Sequence, residues 1–237
     1  MLVPKRLRFG IVVFPGTWSE GDCYHALTAA LGQDAKYIWY KDQDLSGFDC
    51  IVLPGGFSYG DYLRPGAIAR FTPVMSAIER FSKAGGLVIG ICNGFQVLCE
   101  AGLLPGVLRP NEHLQFRCEW TYLRVENTDT PFTVDCNTGQ LLRIPISHGE
   151  GNYSVDTSVA LTLERQNRVL FRYSTVDGDI TPGSNPNGSF GNIAGVINEQ
   201  GNVLGMMPHP ERCCEAVVGG TDGAVIFNSI VSSMAGT

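Results

Sequence analysis

The sequence lacks the long apolar runs of membrane proteins and the excess of basic residues typical of proteins that bind nucleic acid or anionic membranes. None of its apolar runs approaches the ~18 residues needed to span a bilayer, which argues against a membrane protein. Only 17% of its residues are charged, and 17 basic residues face 23 acidic ones, so the formal net charge is −6. This charge balance argues against nucleic acid or an anionic membrane surface as the main partner.

Motifs for bound nucleotides and metals are also missing. The sequence has no G-x-x-x-x-G-K-[ST] phosphate loop, so we expect no ATP site in this chain. The glycines at 149 and 151 begin like a dinucleotide fingerprint, but neither a third glycine nor a predicted helix follows them. No C-x-x-C pair occurs among the eight cysteines, which argues against a structural zinc site. We therefore expect no metal and no cofactor in this chain.

The first residues do not have the pattern of a secretion signal. Basic residues at 5, 6 and 8 precede an apolar run at 9–14, which is too short for a signal peptide and predicts a strand instead. We therefore expect a cytoplasmic protein, in which the eight cysteines are reduced thiols rather than disulfides.

The patterning of apolar residues predicts an α/β fold. Hydrophobic residues make up 44% of the 237, enough for one large core. In the first half we predict strands at 8–14, 35–40, 50–53 and 87–91, and helices that begin near Ser19 (as cap), Thr72 and Phe95. In the second half we predict shorter strands at 114–125, 132–136, 141–146, 160–163, 169–173, 193–198 and 203–207, then a helix at 222–234. The prediction is one domain, 1–237, with a mainly parallel central sheet flanked by helices and antiparallel additions in the second half.

The segment Gly-Ile-Cys-Asn-Gly at 90–94 is the most informative motif. It has the layout of a nucleophile elbow, G-x-C-x-G, between a predicted strand and a predicted helix. A side chain at such a turn projects from the sheet, and the helix N-terminus behind it favours the thiolate. A buried cysteine that ends a strand is the structural alternative. We predict that Cys92 is a nucleophile.

A cysteine nucleophile needs a base, and His209 is the best placed of the four histidines. It follows a predicted strand, and Pro210 favours an extended backbone there, so Glu211 would lie on the same side as the imidazole. A carboxylate in that position would orient the ring and stabilise its charged form. His148, which has glycine at the next position, is the main competitor, while we expect His25 and His113 to be structural.

Glycines after the third predicted strand favour an oxyanion hole. The loop Gly-Gly-Phe at 55–57 can turn a backbone N–H toward a developing negative charge, from either Gly56 or Phe57. Asn93, which follows the nucleophile, would supply the second N–H. A plain turn is the structural alternative for this loop.

The elbow and the His-Pro-Glu segment together resemble the class I (triad) glutamine amidotransferases. The blocks at 54–69, 148–153, 185–189 and 205–212 are similar to one branch of that family, which serves an ATP-dependent synthase of purine biosynthesis. The resemblance implies a flavodoxin-like fold, L-glutamine as substrate, and Cys92, His209 and Glu211 as nucleophile, acid and base, and orienting residue. It also makes Gln96 a substrate contact.

The resemblance also implies partners. Ammonia released into water is mostly protonated at neutral pH and no longer nucleophilic, so its acceptor site must be protected. We expect a large synthase subunit, holding ATP and Mg, and a small accessory subunit. Two alternatives stay open from the residues alone: a stand-alone cysteine hydrolase or peptidase, and a non-catalytic interaction module that retained the fold.

Overall fold

The computed structural model describes residues 6–235, which form a nine-stranded mixed sheet covered by helices. The strands of that sheet are β1 (Arg8–Val13), β2 (Asp34–Trp39), β3 (Cys50–Leu53), β4 (Leu87–Ile91), β6 (Arg117–Val125), β7 (Leu141–His148), β9 (Val169–Ser174), β10 (Ile193–Ile197) and β11 (Val203–Met206). A separate two-stranded sheet pairs β5 (Val107–Arg109) with β8 (Asn152–Ser154).

The sheet has a parallel part and an antiparallel part. In the strand order β2-β1-β3-β4-β11-β10-β9-β6-β7, the first five strands are parallel, and every later pair is antiparallel. The parallel strands β3 and β4 are buried along their whole length, as expected of a sheet covered on both faces. The predicted architecture, a parallel centre with antiparallel additions from the second half, is confirmed.

Five α-helices occur among the described residues. They are α1 (Glu20–His25), which continues as a π-helical segment (Ala26–Ala30), α2 (Pro73–Lys83), α3 (Asn93–Glu100), α4 (Thr157–Arg165) and α5 (Ala224–Ala235). Helix α2 begins after Thr72 with proline at its first position, where the missing N–H costs no hydrogen bond. The side chain of Phe95 on α3 stacks on the buried Tyr153 with ring centroids 5.5 Å apart.

Two predicted strands are wrong. Residues 160–163 lie in α4, where Ala160 and Leu163 are buried one helical turn apart; so short an apolar run does not distinguish a strand from a helix. Residues 132–136 form turns instead, in which the N–H of Thr133 donates to the carbonyl of Thr130 and the N–H of Cys136 donates to that of Thr133. The hydroxyl groups of Thr130 and Thr133 also bond each other at 2.6 Å.

The prediction that the side chain of Ser19 caps the first helix is wrong. Ser19 occupies the position before α1, but its hydroxyl makes no capping hydrogen bond. Instead the Ser19 hydroxyl accepts a hydrogen bond from Nη2 of Arg212 at 2.8 Å. This contact ties the start of α1 to the segment that follows β11.

Candidate active site

The structure forms the predicted elbow at Cys92, directly between β4 and α3. Cys92 has φ 51° and ψ −106°, a conformation that residues other than glycine rarely adopt. A Cβ on Gly94 would lie 1.9 Å from the carbonyl oxygen of Leu53, and one on Gly90 would lie 2.7 Å from the Gly94 carbonyl. Both glycines are therefore required by the close approach of the backbone.

The contact at Gly94 gives a stability prediction. We expect Gly94→Ala to lower the free energy of unfolding by about 1–3 kcal/mol, because the new methyl group meets backbone atoms that must shift. Gly21 in α1 is the matched control, since its Cβ would meet nothing within 4 Å. Gly21→Ala should raise stability by about 0.5–1 kcal/mol. Urea unfolding measures both, and equal stability of the two variants would contradict the tight elbow.

The loop that follows β11 brings His209 to Cys92. A Cβ on Gly55 would lie 2.7 Å from Cε1 of His209 and 3.5 Å from Cβ of Cys92, so this glycine lies against both side chains. His209 is 2% exposed, and its Nε2 atom has no hydrogen-bond partner among the described residues. The thiol of Cys92 lies 3.6 Å from the carbonyl oxygen of Ser147.

Glu211 holds the opposite side of the imidazole. Its Oε1 lies 2.6 Å from Nδ1 of His209, and the Glu211 side chain is fully buried. The contact is made across a short 3-10 turn at Pro210–Arg212, not along the extended segment expected from the sequence. Burial lowers the pKa of His209, but the charges of Glu211 and Cys92 outweigh it and raise the pKa to about 10. The ring therefore holds its proton at neutral pH, which places a positive charge beside Cys92.

Three backbone N–H groups were candidates for an oxyanion hole. That of Phe57 donates to the carbonyl of Gly16 at 2.9 Å, so it is not available. Gly56 lines the same cavity as Cys92. Asn93 is the first residue of α3, where the backbone N–H has no partner within the helix. The geometry therefore favours Gly56 and Asn93 over Phe57.

Gln96 belongs to a hydrogen-bonded network that joins two loops to helix α3. The Asn93 amide donates to Oε1 of Gln96 at 2.9 Å, and Nε2 of Gln96 donates to the carbonyl of Glu150 at 2.7 Å. Oδ1 of Asn93 accepts from the N–H of Ser58 at 3.1 Å. The network fixes the glycine-rich loop after β3 and the loop after β7 against the first turn of α3.

A cavity of about 220 Å³ opens beside the thiol. Its lining includes Gly56, Asp61, Cys92, Gln96, His148 and Glu150. Cys92, His209, Glu211, Gly56, Asn93 and Gln96 are thus brought together at the carboxyl ends of the parallel strands β3, β4 and β11. Open parallel sheets bind ligands at this edge.

His148 lines the cavity, but its surroundings differ from those of His209. Its Nδ1 lies 3.1 Å from the amide oxygen of Asn111, and its Nε2 lies 3.4 Å from the amide nitrogen of Asn187. This pattern assigns a neutral ring with the proton on Nδ1. Burial and the neighbouring His209 lower the pKa of His148 to about 3. His148 thus stays uncharged, and in the part of the chain that the structure describes neither ring nitrogen contacts a carboxylate that could orient it as a base.

Sequence reasoning missed several parts of the site. It used the backbone of Asn93 but not its side chain, and it assigned no role to Asp61 or Glu150. It also assigned no role to Cys213 and Cys214, whose thiols lie 3.6 and 3.2 Å from the carbonyl of Pro210 and so pack under the turn that carries Glu211. Nothing in the residue types indicated these contacts, although the block at 54–69 already contained Asp61. All eight cysteines are free thiols.

The sequence of the chain matches one family of known proteins. Residues 6–221 match the CobB/CobQ-like glutamine amidotransferase domain. The chain is 58% identical to phosphoribosylformylglycinamidine synthase subunit PurQ of Moorella thermoacetica over 95% of each chain. It is 56% identical to the subunit of the same name from Salinibacter ruber, over 95% of this chain and 96% of that one.

A solved structure agrees with these relatives. A chain in the structure of PurLQS from Thermotoga maritima is 44% identical and superposes with a TM-score of 0.86, over 97% of this chain and 100% of that one. Sequence and backbone thus agree over nearly the full length, and the elbow, the imidazole and the carboxylate meet at one edge of the sheet. The chain belongs to the CobB/CobQ-like glutamine amidotransferase family.

Proposed function

We propose that the chain is the glutaminase subunit of phosphoribosylformylglycinamidine synthase. It hydrolyses L-glutamine to glutamate and delivers the ammonia to a synthase subunit that converts formylglycinamide ribonucleotide to formylglycinamidine ribonucleotide in purine biosynthesis. The observation that carries the proposal is the meeting of Cys92, His209 and Glu211 in a chain so similar to PurQ subunits.

The first half of the reaction follows from the charge on His209. The Cys92 thiolate attacks the side-chain amide carbon of glutamine, and the backbone N–H groups of Gly56 and Asn93 hold the negative oxygen that forms. Nε2 of His209, which has no hydrogen-bond partner among residues 6–235, gives its proton to the departing nitrogen. The carbon–nitrogen bond breaks, ammonia leaves, and a thioester on Cys92 remains.

The second half reverses the proton transfer. Neutral His209 takes a proton from water as the water oxygen attacks the thioester carbon, and the same two N–H groups hold the second negative oxygen. The carbon–sulfur bond then breaks, which releases glutamate and restores the thiolate beside the imidazolium. Glu211 keeps the ring in place and balances its charge throughout.

The proposal includes partners and a location. We assign ATP and Mg to the large synthase subunit, and we expect a small accessory subunit in the same complex. We treat residues 1–237 as one amidotransferase domain, supported by the continuous nine-stranded sheet. We propose a cytoplasmic location, supported by eight free thiols. No helix of residues 6–235 has the length and apolar character needed to cross a membrane.

Reconstitution with the synthase subunits tests this function. We expect glutamine to support ATP-dependent formation of formylglycinamidine ribonucleotide only when this chain is present. The glutaminase rate should rise by about tenfold or more when the large subunit is added, a barrier change of about 1.4 kcal/mol. Failure of glutamine to support the reaction would contradict the function, and a free chain already as fast as the complex would contradict control by the partner.

A further inference from the structure

Arg212, which directly follows Glu211 in the chain, joins the turn after β11 to the start of α1. Its Nη2 donates to the hydroxyl oxygen of Ser19 at 2.8 Å, and its Nε donates to Oδ2 of Asp22 at 3.2 Å. The same Nε lies 3.9 Å from Oε1 of Glu211. The guanidinium group therefore meets one hydroxyl and two carboxylates, and its partners on α1 lie 190 or more positions earlier in the chain.

The anchor of this guanidinium group on Ser19 is itself fixed against the active site. Ser19 is fully buried, and its N–H donates to the carbonyl of Gly55 at 3.1 Å. A Cβ on Gly55 would lie 3.2 Å from Oγ of Ser19 and 2.7 Å from Cε1 of His209. The hydroxyl that holds Arg212 thus lies against the same glycine that packs on the imidazole.

The Glu211 carboxylate has few partners that balance its charge. Its side chain is fully buried, Oε1 lies 2.6 Å from Nδ1 of His209, and Oε2 has no hydrogen-bond partner among the described residues. Within residues 6–235, the ion pairs of Glu211 are those with His209 and Arg212. A buried carboxylate that loses its counter-charge is strongly destabilised.

The charge on one of these two partners changes during the proposed reaction. His209 gives its proton to the departing nitrogen and is neutral while the thioester is present. In the described part of the chain, Arg212 is then the cation that remains within 4 Å of Glu211. Asp22 competes little for this charge, because its half-exposed side chain is screened by water while the buried Glu211 is not.

We propose that Arg212 is a positioning residue whose guanidinium group, anchored on Ser19 and Asp22, supplies the permanent counter-charge that holds Glu211 against His209. It acts through Glu211 and does not touch the reacting atoms. The proposal rests on the proposed glutaminase function and deepens it by naming what balances the buried carboxylate while the imidazole loses and regains its proton. Arginine suits this role because it stays charged and its planar fork donates in several directions at once.

The first test is the glutaminase kcat and KM of the reconstituted complex with Arg212→Gln or Arg212→Lys. We expect Arg212→Gln to lower kcat by about 10- to 100-fold, because small displacements of catalytic groups cost this much. KM should change by less than about threefold, since Arg212 is not among the described residues that line the cavity beside Cys92. Arg212→Lys keeps the charge without the fork and should lose only about 3- to 10-fold in kcat.

A double-mutant cycle separates this role from a general loosening of the loops. In Glu211→Gln there is no carboxylate charge to balance, so adding Arg212→Gln should lower kcat by less than about threefold. A residue that only holds the loops together would cause the same loss with Glu211 or with glutamine at that position. Equal losses in the two backgrounds would overturn the proposal, as would a wild-type kcat in Arg212→Gln.

The matched control is an arginine in a similar ion pair outside the site. Nε of Arg124 donates to Oε1 of Glu126 at 2.7 Å, and its Nη1 donates to the carbonyl of Gly178 at 3.1 Å. The Arg124 side chain is 34% exposed, close to the 29% of Arg212. Arg124→Gln should therefore keep the wild-type kcat, and a loss as large as that of Arg212→Gln would contradict a role specific to Arg212.

Ammonia-dependent amidation by each variant complex shows that the chain folds and assembles. If Arg212→Gln fails this check, the cycle is measured with Arg212→Lys, whose smaller loss should likewise disappear in Glu211→Gln. A loss that persists there, or no loss from lysine, would then overturn the proposal. The glutaminase function itself would fail only if the wild-type complex did not use glutamine, so the two failures are distinguishable.

Discussion

Replacing Cys92 with alanine is expected to abolish glutamine-dependent amidation while ammonia-dependent amidation continues. No other cysteine among the described residues lies at the elbow or lines the cavity with Gln96, so no thioester can form without this sulfur. Removing the nucleophile of a covalent mechanism lowers kcat by roughly 10⁴-fold or more. The measurement is the rate of product formation in the reconstituted complex, with glutamine or with a high concentration of ammonium salt as nitrogen source.

The control for this substitution is an exposed cysteine. Cys118 lies on β6 and is solvent exposed, so Cys118→Ala should keep both activities. Alanine at position 92 loses the sulfur contact of 3.6 Å to the Ser147 carbonyl and the interaction with His209 but keeps the Cβ atom, so we expect the fold to survive. Glutamine use at the wild-type rate in Cys92→Ala would show that the chain does not act through this thiol. It would leave a non-catalytic role as the explanation for the retained fold.

The elbow was predictable because its signals are local. The eleven residues 87–97 contain a strand, two glycines and the start of a helix, all close together in the sequence. His209 and Glu211 were predictable as a pair because two residues of separation keep their side chains close, although the backbone between them is a 3-10 turn rather than a strand.

The contacts between distant loops were not predictable in the same way. The Asn93 side chain bonds Gln96 on its own helix, but its bond from the N–H of Ser58 depends on how β3 and β4 align. His148 remained an alternative base from the sequence, since only the folded chain shows Asn111 and Asn187 against its ring. Likewise, the hydrogen bond from the N–H of Phe57 to the carbonyl of Gly16 removes one of two candidate oxyanion donors and involves residues 41 positions apart.

Replacing Glu211 with glutamine is expected to lower the glutaminase kcat by roughly 10³- to 10⁴-fold. The substitution keeps the volume and an oxygen that can accept from Nδ1 of His209, but it removes the charge. The pKa of His209 then falls, because burial lowers it and one of the two charges that raise it is gone, so the ring holds the proton that leaving ammonia needs less firmly. Steady-state glutaminase kinetics of the complex measure the fall, with ammonia-dependent amidation as the check on assembly.

The positive charge of protonated His209 also predicts how the stability of the fold depends on pH. Because the folded pKa of His209, about 10, lies above the ordinary value of 6.5, its proton stabilises the fold fully below pH 6.5, and this stabilisation is lost as pH rises toward 10. In Glu211→Gln, the free energy of unfolding should fall less between neutral and high pH, because the contribution of His209 to this fall is smaller. Urea unfolding at pH 7 and pH 9 compares the two proteins, and an equal fall in both would contradict a charged His209–Glu211 pair.

A second histidine–glutamate pair in the chain supplies the control. His25 and Glu215 lie 2.5 Å apart, much as His209 and Glu211 do, but the His25 side chain is 58% exposed and the pair is not part of the elbow. Glu215→Gln removes the same charge from a similar contact in water, where an exposed ion pair contributes little. It should leave kcat unchanged. If both glutamine variants lost activity equally, the loss would not come from charge held beside Cys92, and the role assigned to Glu211 would be wrong.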